Sequence, residues 1–201
     1  MAIASERRPG RPSEGAREAL IEAAHDLFMR RDYDEVSIAE ILERSGVSRG
    51  ALYHHFPSKL ELFRAVFEAG ERRTIELIAA EAAAVATTPF EALLESSRAY
   101  LRQCETNEEL RRIGLLQSRA VLGWEGWREA AAELGIGVAL VAVTASIEAG
   151  ELAPHDPETM ALILLGAMIE AATLIAVADD RRAARERSEA VVVDLLTSLR
   201  R

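Results

Sequence analysis

The chain has 201 residues, 49% hydrophobic and 28% charged, which suits one large folded domain or two small ones and excludes global disorder. Only 6 Pro and 12 Gly interrupt a sequence rich in Ala, Leu, Glu and Arg, so the expected class is all-α, without Gly-rich barrels or long loops. The net charge of −9 speaks against a nucleic-acid partner only as an average, because residues 1–59 carry nine basic against ten acidic side chains and residues 60–201 carry 15 against 23.

Residues 1–12 read as a flexible basic arm, with Arg7, Arg8 and Arg11 available for a phosphate or minor-groove contact. They contain no apolar run of signal-peptide length, and the single Cys104 excludes an intrachain disulfide framework, so the expected location is the cytoplasm. Ser13 caps a first helix to about Arg31, whose apolar face is Ala16, Leu20, Ala24, Leu27 and Phe28.

Ser37-Ile38-Ala39-Glu40 has the pattern of a capping box, with Val36 and Ile41 placed as a hydrophobic staple. The helix it opens should end at Ser45, with Gly46 as a left-handed terminator, and Ser48 restarts a helix two residues later. Phe56 precedes Pro57 and must leave helical geometry, after which Ser58-Lys59-Leu60-Glu61 opens a long helix to about Ala86. Further helices are expected over 89–105, 108–121, 125–149, 157–178 and 181–199, with breaks that include Gly123 and the stretch from Gly150 to Pro157. The domains are therefore a 13–58 helix-turn-helix unit and a 59–201 helical body.

Two helices joined by Gly46-Val47 place the second, 48–56, where it can enter a DNA major groove. On its helical wheel Leu52 and Phe56 point inward, Gly50, Tyr53 and His54 lie opposite, and Ala51 is on the flank. Arg49 in the first turn can reach a guanine edge, while Gly50 and Ala51 allow close backbone approach and Ala51 offers only apolar contact, as with a thymine methyl. Ser48 falls on the inward side with Leu52 and Phe56, while Ser37 and Lys59, the only lysine, each lie in the first turn of a helix, where phosphates bind.

These segments, Ser37 to Glu40, Ser45 to Phe56 and Ser58 to Leu62, resemble the DNA-binding signature of the tetracycline-repressor (TetR) family over residues 13–65. Gly166-Ala167, Glu170-Ala171-Ala172 and Ala178-Asp179-Asp180 resemble a variant of that family's last domain. The resemblance implies a homodimeric repressor that binds double-stranded palindromic operator DNA through Ser37, Ser48, Arg49, Gly50, Ala51, Tyr53, His54 and Lys59. It also implies a small-molecule effector pocket in each body and a four-helix dimer contact from helices 157–178 and 181–199.

For the effector, largely apolar by expectation, the residues combining bulk with a few polar groups are Tyr100, Cys104, Leu115, Gln117, Trp124, Trp127 and Met168. Glu170 joins them, because a carboxylate in so apolar a helix needs a partner, a cavity or a proton. Met160 to Ala178 approaches the length of a membrane span, yet its central Glu170 and charged flanks favour a protein-buried helix, and no membrane partner is expected. Dimer contacts are expected at Ala161, Leu164, Leu165, Val191, Val192, Leu195 and Leu196.

Gly46-Val47-Ser48-Arg49-Gly50 also matches the G-x-S-x-G elbow of serine hydrolases, but the elbow needs a preceding strand where this sequence has a capped helix. No nucleotide loop or metal-ligand spacing appears, so neither enzyme activity nor a cofactor is expected. The competing assignment is a helical small-molecule-binding or scaffold protein whose helix-turn-helix serves only packing.

Overall fold

The computed structural model describes residues 15–201, apart from the side chains of residues 131–133. The basic arm and Ser13 lie outside the described residues. The elements are α1 (Gly15–Phe28), a 3-10 turn (Tyr33–Glu35), α2 (Ile38–Ser45), α3 (Arg49–His55), α4 (Lys59–Ala83) and α5 (Pro89–Thr106). A π-helical stretch (Leu110–Gln117), α6 (Ser118–Glu148), α7 (Pro157–Ala176) and α8 (Arg181–Ser198) follow. The protein is all-α, and the chain divides into two compact units between Val66 and Phe67, a division that falls inside α4.

In the first unit the inward positions of α1 and α2 converge with those of α3 and α4. Leu20, Ala24, Phe28, Val36, Ile41, Leu52, Leu62, Phe63 and Val66 are all buried, and their removal from water supplies the drive for three helices too short to persist alone. Phe28 meets Phe63 edge to face at 5.1 Å and stacks on Tyr33 at 5.9 Å. An ion pair from Arg44 to Asp26 joins α2 to α1, and Arg31 reaches Glu40 at 2.8 Å.

The local signals act as the sequence requires. Ser37 Oγ accepts the Glu40 amide at 3.3 Å while Glu40 Oε2 accepts the Ser37 amide at 2.9 Å. Val36 and Ile41 are both buried beside this cap. Gly46 has φ 67°, and its N–H donates to the Leu42 carbonyl at 3.0 Å. Ser48 Oγ accepts the Ala51 amide at 3.3 Å, and Phe56 leaves the helix at φ −134°.

In the second unit, α5 packs on α6, α7 and α8, and α7 on α6 and α8. Its core includes Phe90, Leu101, Cys104, Leu152, Ala161, Ala172, Ile175 and Leu196. The α-helix expected over 108–121 is instead π-helical from Leu110 to Gln117. That wider turn lets the adjacent Ile113, Gly114 and Leu115 all be buried together with Leu110 and Gln117. Within α6 the expected break at Gly123 is present, with φ 71°. The polypeptide closes with Ala153 N–H donating to the Leu199 carbonyl at 3.0 Å and Glu151 Oε2 accepting the Phe90 amide at 2.9 Å.

Two helical stretches, Leu110–Glu148 and Pro157–Ala176, are long and apolar enough by composition to cross a membrane. Only one side of α7 is covered by its own chain: Leu162, Ile163, Leu174 and Val177 are exposed, and so are Val191 and Leu195 of α8.

The Ser37 and Arg31 hydrogen bonds hold the Glu40 carboxyl down at about 2, against 4.5 for an unperturbed Glu. A depressed carboxyl favours the folded state above its unfolded value and loses that advantage as the pH falls through its folded value. Urea unfolding of Glu40→Gln should therefore show a deficit relative to wild type at pH 7, and the deficit should shrink as the pH drops from about 4.5 towards about 2.

Candidate functional site

Two constellations stand out, one in each unit. In the first, α3 sits on the core through Leu52, with Phe56 buried at its end, and turns Arg49, Gly50, Tyr53 and His54 outward, all exposed. A Cβ at Gly50 would meet no protein atom within 4 Å, so this glycine answers no internal packing need and leaves the helix surface flat. The Arg49 guanidinium lies over the Tyr53 ring at 5.8 Å, which pre-positions a long cation beside the aromatic. Ala51 is half-exposed, and Ser48, expected on the inward side, is exposed instead, because as the cap it stands just outside the helix and its hydroxyl turns to the Ala51 amide.

Ser37 is exposed, but its hydroxyl also donates to Glu40 Oε2 at 2.8 Å. What it offers a phosphate is mainly the α2 N-terminus that it caps. Lys59 is half-buried, its ammonium 4.0 Å above the Tyr33 ring. Burial lowers its pKa while Asp34 and Glu40 oppose the shift. The eight residues that the sequence assigns to DNA thus occupy the starts of α2, α3 and α4 and the open face of α3.

The second constellation is a cavity of about 200 Å³ in the helical body. Its walls are apolar, with Ile75 and Ile78 of α4, Leu93 of α5, Ala142 of α6, Leu164 and Met168 of α7 and Leu196 of α8 among them. Of the residues expected to bind an effector, Tyr100, Leu115, Trp127 and Met168 line it. Cys104 stands behind Tyr100 in the core: Tyr100 donates to its sulfur, and burial pushes the thiol up to about 12, so it is an inert apolar filler. Gln117 is buried outside the lining, and Trp124 is 61% exposed.

Glu170 is corrected outright as a lining residue, because it lies on the exposed side of α7. The carboxylate that faces the cavity is Glu71 of α4, which sequence reasoning missed. It follows Phe67 by four residues and precedes Ile75 by four, and that apolar spacing was the available signal. Burial, with Glu109 close by, raises its pKa from 4.5 to about 7. Its carboxyl lies against the π-helical stretch, where a Cβ on Gly114 would come within 2.7 Å of Glu71 Oε1. The Gly114 carbonyl accepts from Trp127 Nε1 at 3.2 Å and from the Ser118 hydroxyl, so this segment is fixed on both sides.

The residues expected at a dimer contact divide three ways. Ala161 is buried in the chain's own core, and Leu164, Leu165, Val192 and Leu196 line the cavity, the last two of them buried. Val191 and Leu195 are exposed, Leu195 also reaching the cavity lining, and they are joined by the exposed Leu162, Ile163, Leu174 and Val177. An almost wholly apolar helix presents no polar face by which the sequence could tell inside from outside. Among the described residues no group of three His, Cys, Asp or Glu side chains is arranged to hold a metal ion.

A raised carboxyl pKa leaves stability intact below the unfolded value and erodes it as the pH rises through the folded one. Glu71→Gln should therefore match wild type in urea unfolding near pH 4 and exceed it by on the order of 3 kcal/mol at pH 8.

Residues 20–66 match the family described as bacterial regulatory proteins, tetR family, and residues 90–199 match the tetracyclin repressor-like C-terminal domain. A solved TetR-family transcriptional regulator from Pectobacterium atrosepticum is 30% identical, with a TM-score of 0.80 over 93% of this chain and 95% of that one. The transcriptional activator FasR of Mycolicibacterium smegmatis is 44% identical over 57 residues, 28% of this chain. The transcriptional repressor BepR of Brucella suis is 37% identical over 60 residues, 30% of this chain. These two matches span only 26% and 29% of the relatives' own lengths. Because one match fills more than half of the chain and another takes in the helix-turn-helix, the chain belongs to the TetR family of bacterial DNA-binding transcriptional regulators.

Proposed function

We propose that this regulator represses transcription by gripping a palindromic operator as a homodimer, and that a largely apolar small molecule in the body cavity releases it. The observation that carries the DNA half is α3: a capped helix with Leu52 buried beneath it and Arg49, Gly50, Tyr53 and His54 turned outward. A scaffold whose helix-turn-helix served only packing would have no use for an unfilled glycine and an arginine on that face. Arg49 reads a base edge, Gly50 and Ala51 admit the backbone to the groove, and Tyr53, His54, Lys59 and the α2 start engage phosphates and flanking edges.

The uncovered apolar strip of α7 and α8 supports the dimer. Ile163, Leu174, Val177, Val191 and Leu195 are large apolar side chains left 48–67% exposed, the kind of surface that a partner chain covers, and the exposed Glu170 amid them fits a protein contact better than lipid. Twofold pairing of these helices presents two α3 helices to half-sites one helical turn or more apart.

Release follows from the continuity of α4, which carries Lys59 at its start and Glu71, Ile75 and Ile78 in the cavity wall. A ligand that prefers one setting of this helix shifts operator affinity by the difference of its affinities for the two states, typically about 1–3 kcal/mol. No catalytic step is assigned. Ser48 of the G-x-S-x-G match sits at the junction of α2 and α3, where it caps a helix. Such a protein works in the cytoplasm, where its operator is.

Selection of bound sequences from random DNA by the purified protein should yield a palindrome. On that site Arg49→Ala should relax preference at one position per half-site at a cost of about 1–3 kcal/mol. Lys59→Ala should weaken all sequences alike and lower the salt slope by about 1. Unchanged affinity and salt slope in Lys59→Ala would reject this docking geometry.

Sedimentation should find the wild-type protein dimeric at micromolar concentration. Ile163→Asp should be a helical monomer without cooperative operator binding, because a carboxylate cannot be buried unpaired in that contact. Full operator affinity in such a monomer would remove dimerisation from the mechanism.

A further inference from the structure

The cavity's walls are apolar apart from a few groups, and most of these are already engaged. The Ser97 hydroxyl donates to the Leu93 carbonyl at 2.9 Å, the Trp127 N–H to the Gly114 carbonyl at 3.2 Å and the Tyr100 hydroxyl to Cys104. Glu71 differs from them: it is half-buried, it lines the cavity, and among the described residues no hydrogen bond or ion pair is made to its carboxyl. Among the described residues no Lys, Arg or His lines the cavity.

Of the neighbouring cations, Arg73 pairs with Glu109, Arg111 donates to the Glu105 carbonyl, and Arg119 lies 4.3 Å over the Trp127 ring and donates to Thr173 Oγ1 at 2.8 Å, its Nε left without a partner. The titratable groups facing Glu71 are therefore Glu109, Tyr100 and Cys104, none of them positive.

A buried carboxylate without a partner is costly, and whatever neutralises it on entry gains what the empty protein lacks. An anionic ligand would add a third negative charge beside Glu71 and Glu109. A neutral ligand would supply one hydrogen bond. A protonated amine supplies a charge-assisted bond, roughly twice as strong as a neutral one, and the lining otherwise consists largely of apolar and aromatic side chains, Phe67 and Tyr100 among them, that suit an apolar body. We infer that the effector is a lipophilic cation, an organic amine on an apolar body, with its ammonium on the Glu71 carboxylate. The inference rests on the cavity being the effector site.

Gly114 is part of this arrangement. A Cβ there would push on Glu71 Oε1 from 2.7 Å and on Leu110 from 3.1 Å, so the glycine keeps the carboxyl in place. The near-neutral pKa of Glu71, about 7, leaves a protonated and easily tolerated form in the empty cavity, and the ionised form becomes the ligand-bound one.

The test compares three probes of one shape: 4-phenylbutylamine, 4-phenylbutan-1-ol and 4-phenylbutyrate, each titrated calorimetrically into the full-length protein. At pH 8 the amine should bind about tenfold or more tighter than the alcohol, and the carboxylate weakest of the three. The amine's advantage should fall as the pH drops below about 7, where Glu71 takes its proton. Glu71→Gln should reduce the amine-to-alcohol ratio to near one, with the alcohol still measurably bound and the helical circular-dichroism signal unchanged, which shows the cavity intact. Binding of all three probes with similar affinity, or an amine preference that survives Glu71→Gln, would overturn the assignment and leave the effector cavity standing. Binding of none would overturn both.

Discussion

One helix has to satisfy two cores. Along α4, Leu62, Phe63 and Val66 are buried with α1, α2 and α3, and from Phe67 onward the same helix belongs to the body, where Ile75 and Ile78 form cavity wall. A helix transmits a displacement along its axis because every turn is hydrogen-bonded to the next. Its start is fixed by Ser58 accepting the Glu61 amide at 3.2 Å and by Lys59 on Tyr33. The proposed release mechanism uses this continuity, since Ile75 and Ile78 and the residues that support α3 belong to one helix.

Two glutamates show how position decides what a carboxylate does. Glu40 is solvent-exposed, receives hydrogen bonds from the Ser37 amide and hydroxyl and an ion pair from Arg31, and is held as a stable anion that ends a helix correctly. Glu71 is half-buried against the cavity, receives no hydrogen bond among the described residues and has a like charge beside it in Glu109. The first is a structural device complete within the chain. The second faces a cavity without such support, which leaves its carboxyl open to a ligand.

The sides of α7 and α8 divide the labour of the body. Ala161, Ala172 and Ile175 are spent on the chain's own core, while Leu164, Leu165 and Met168 of α7 and Val192 and Leu196 of α8 shape the cavity. Leu162, Ile163, Leu174, Val177 and Val191 stay exposed, and Leu195 is both exposed and part of the cavity lining. Cavity wall and free surface therefore occupy neighbouring stripes of the same two helices.

The sequence alone determined the helix-turn-helix, because its limits are set by local chemistry. Ser37 with Glu40, the left-handed Gly46, the cap at Ser48 and Phe56 before Pro57 each act within a few residues and are the same in any tertiary setting. It also determined which α3 residues point outward, since the wheel around Leu52 is fixed once the helix is. The π-helical stretch and the roles of α7 depended on tertiary packing: three consecutive inward residues at Ile113 to Leu115 contradict any α-helical periodicity, and α7 is apolar nearly all round. Glu170 and Glu71 traded places for that reason. An isolated charge in an apolar run suggested burial at Glu170, whereas Glu71, among Arg72, Arg73 and Glu76, stands in a charged stretch that gives no such signal. Only the packing of α4 against the π-helical stretch, with Gly114 leaving room for the carboxyl, turned Glu71 inward, and no local pattern encodes which neighbour a helix face will meet.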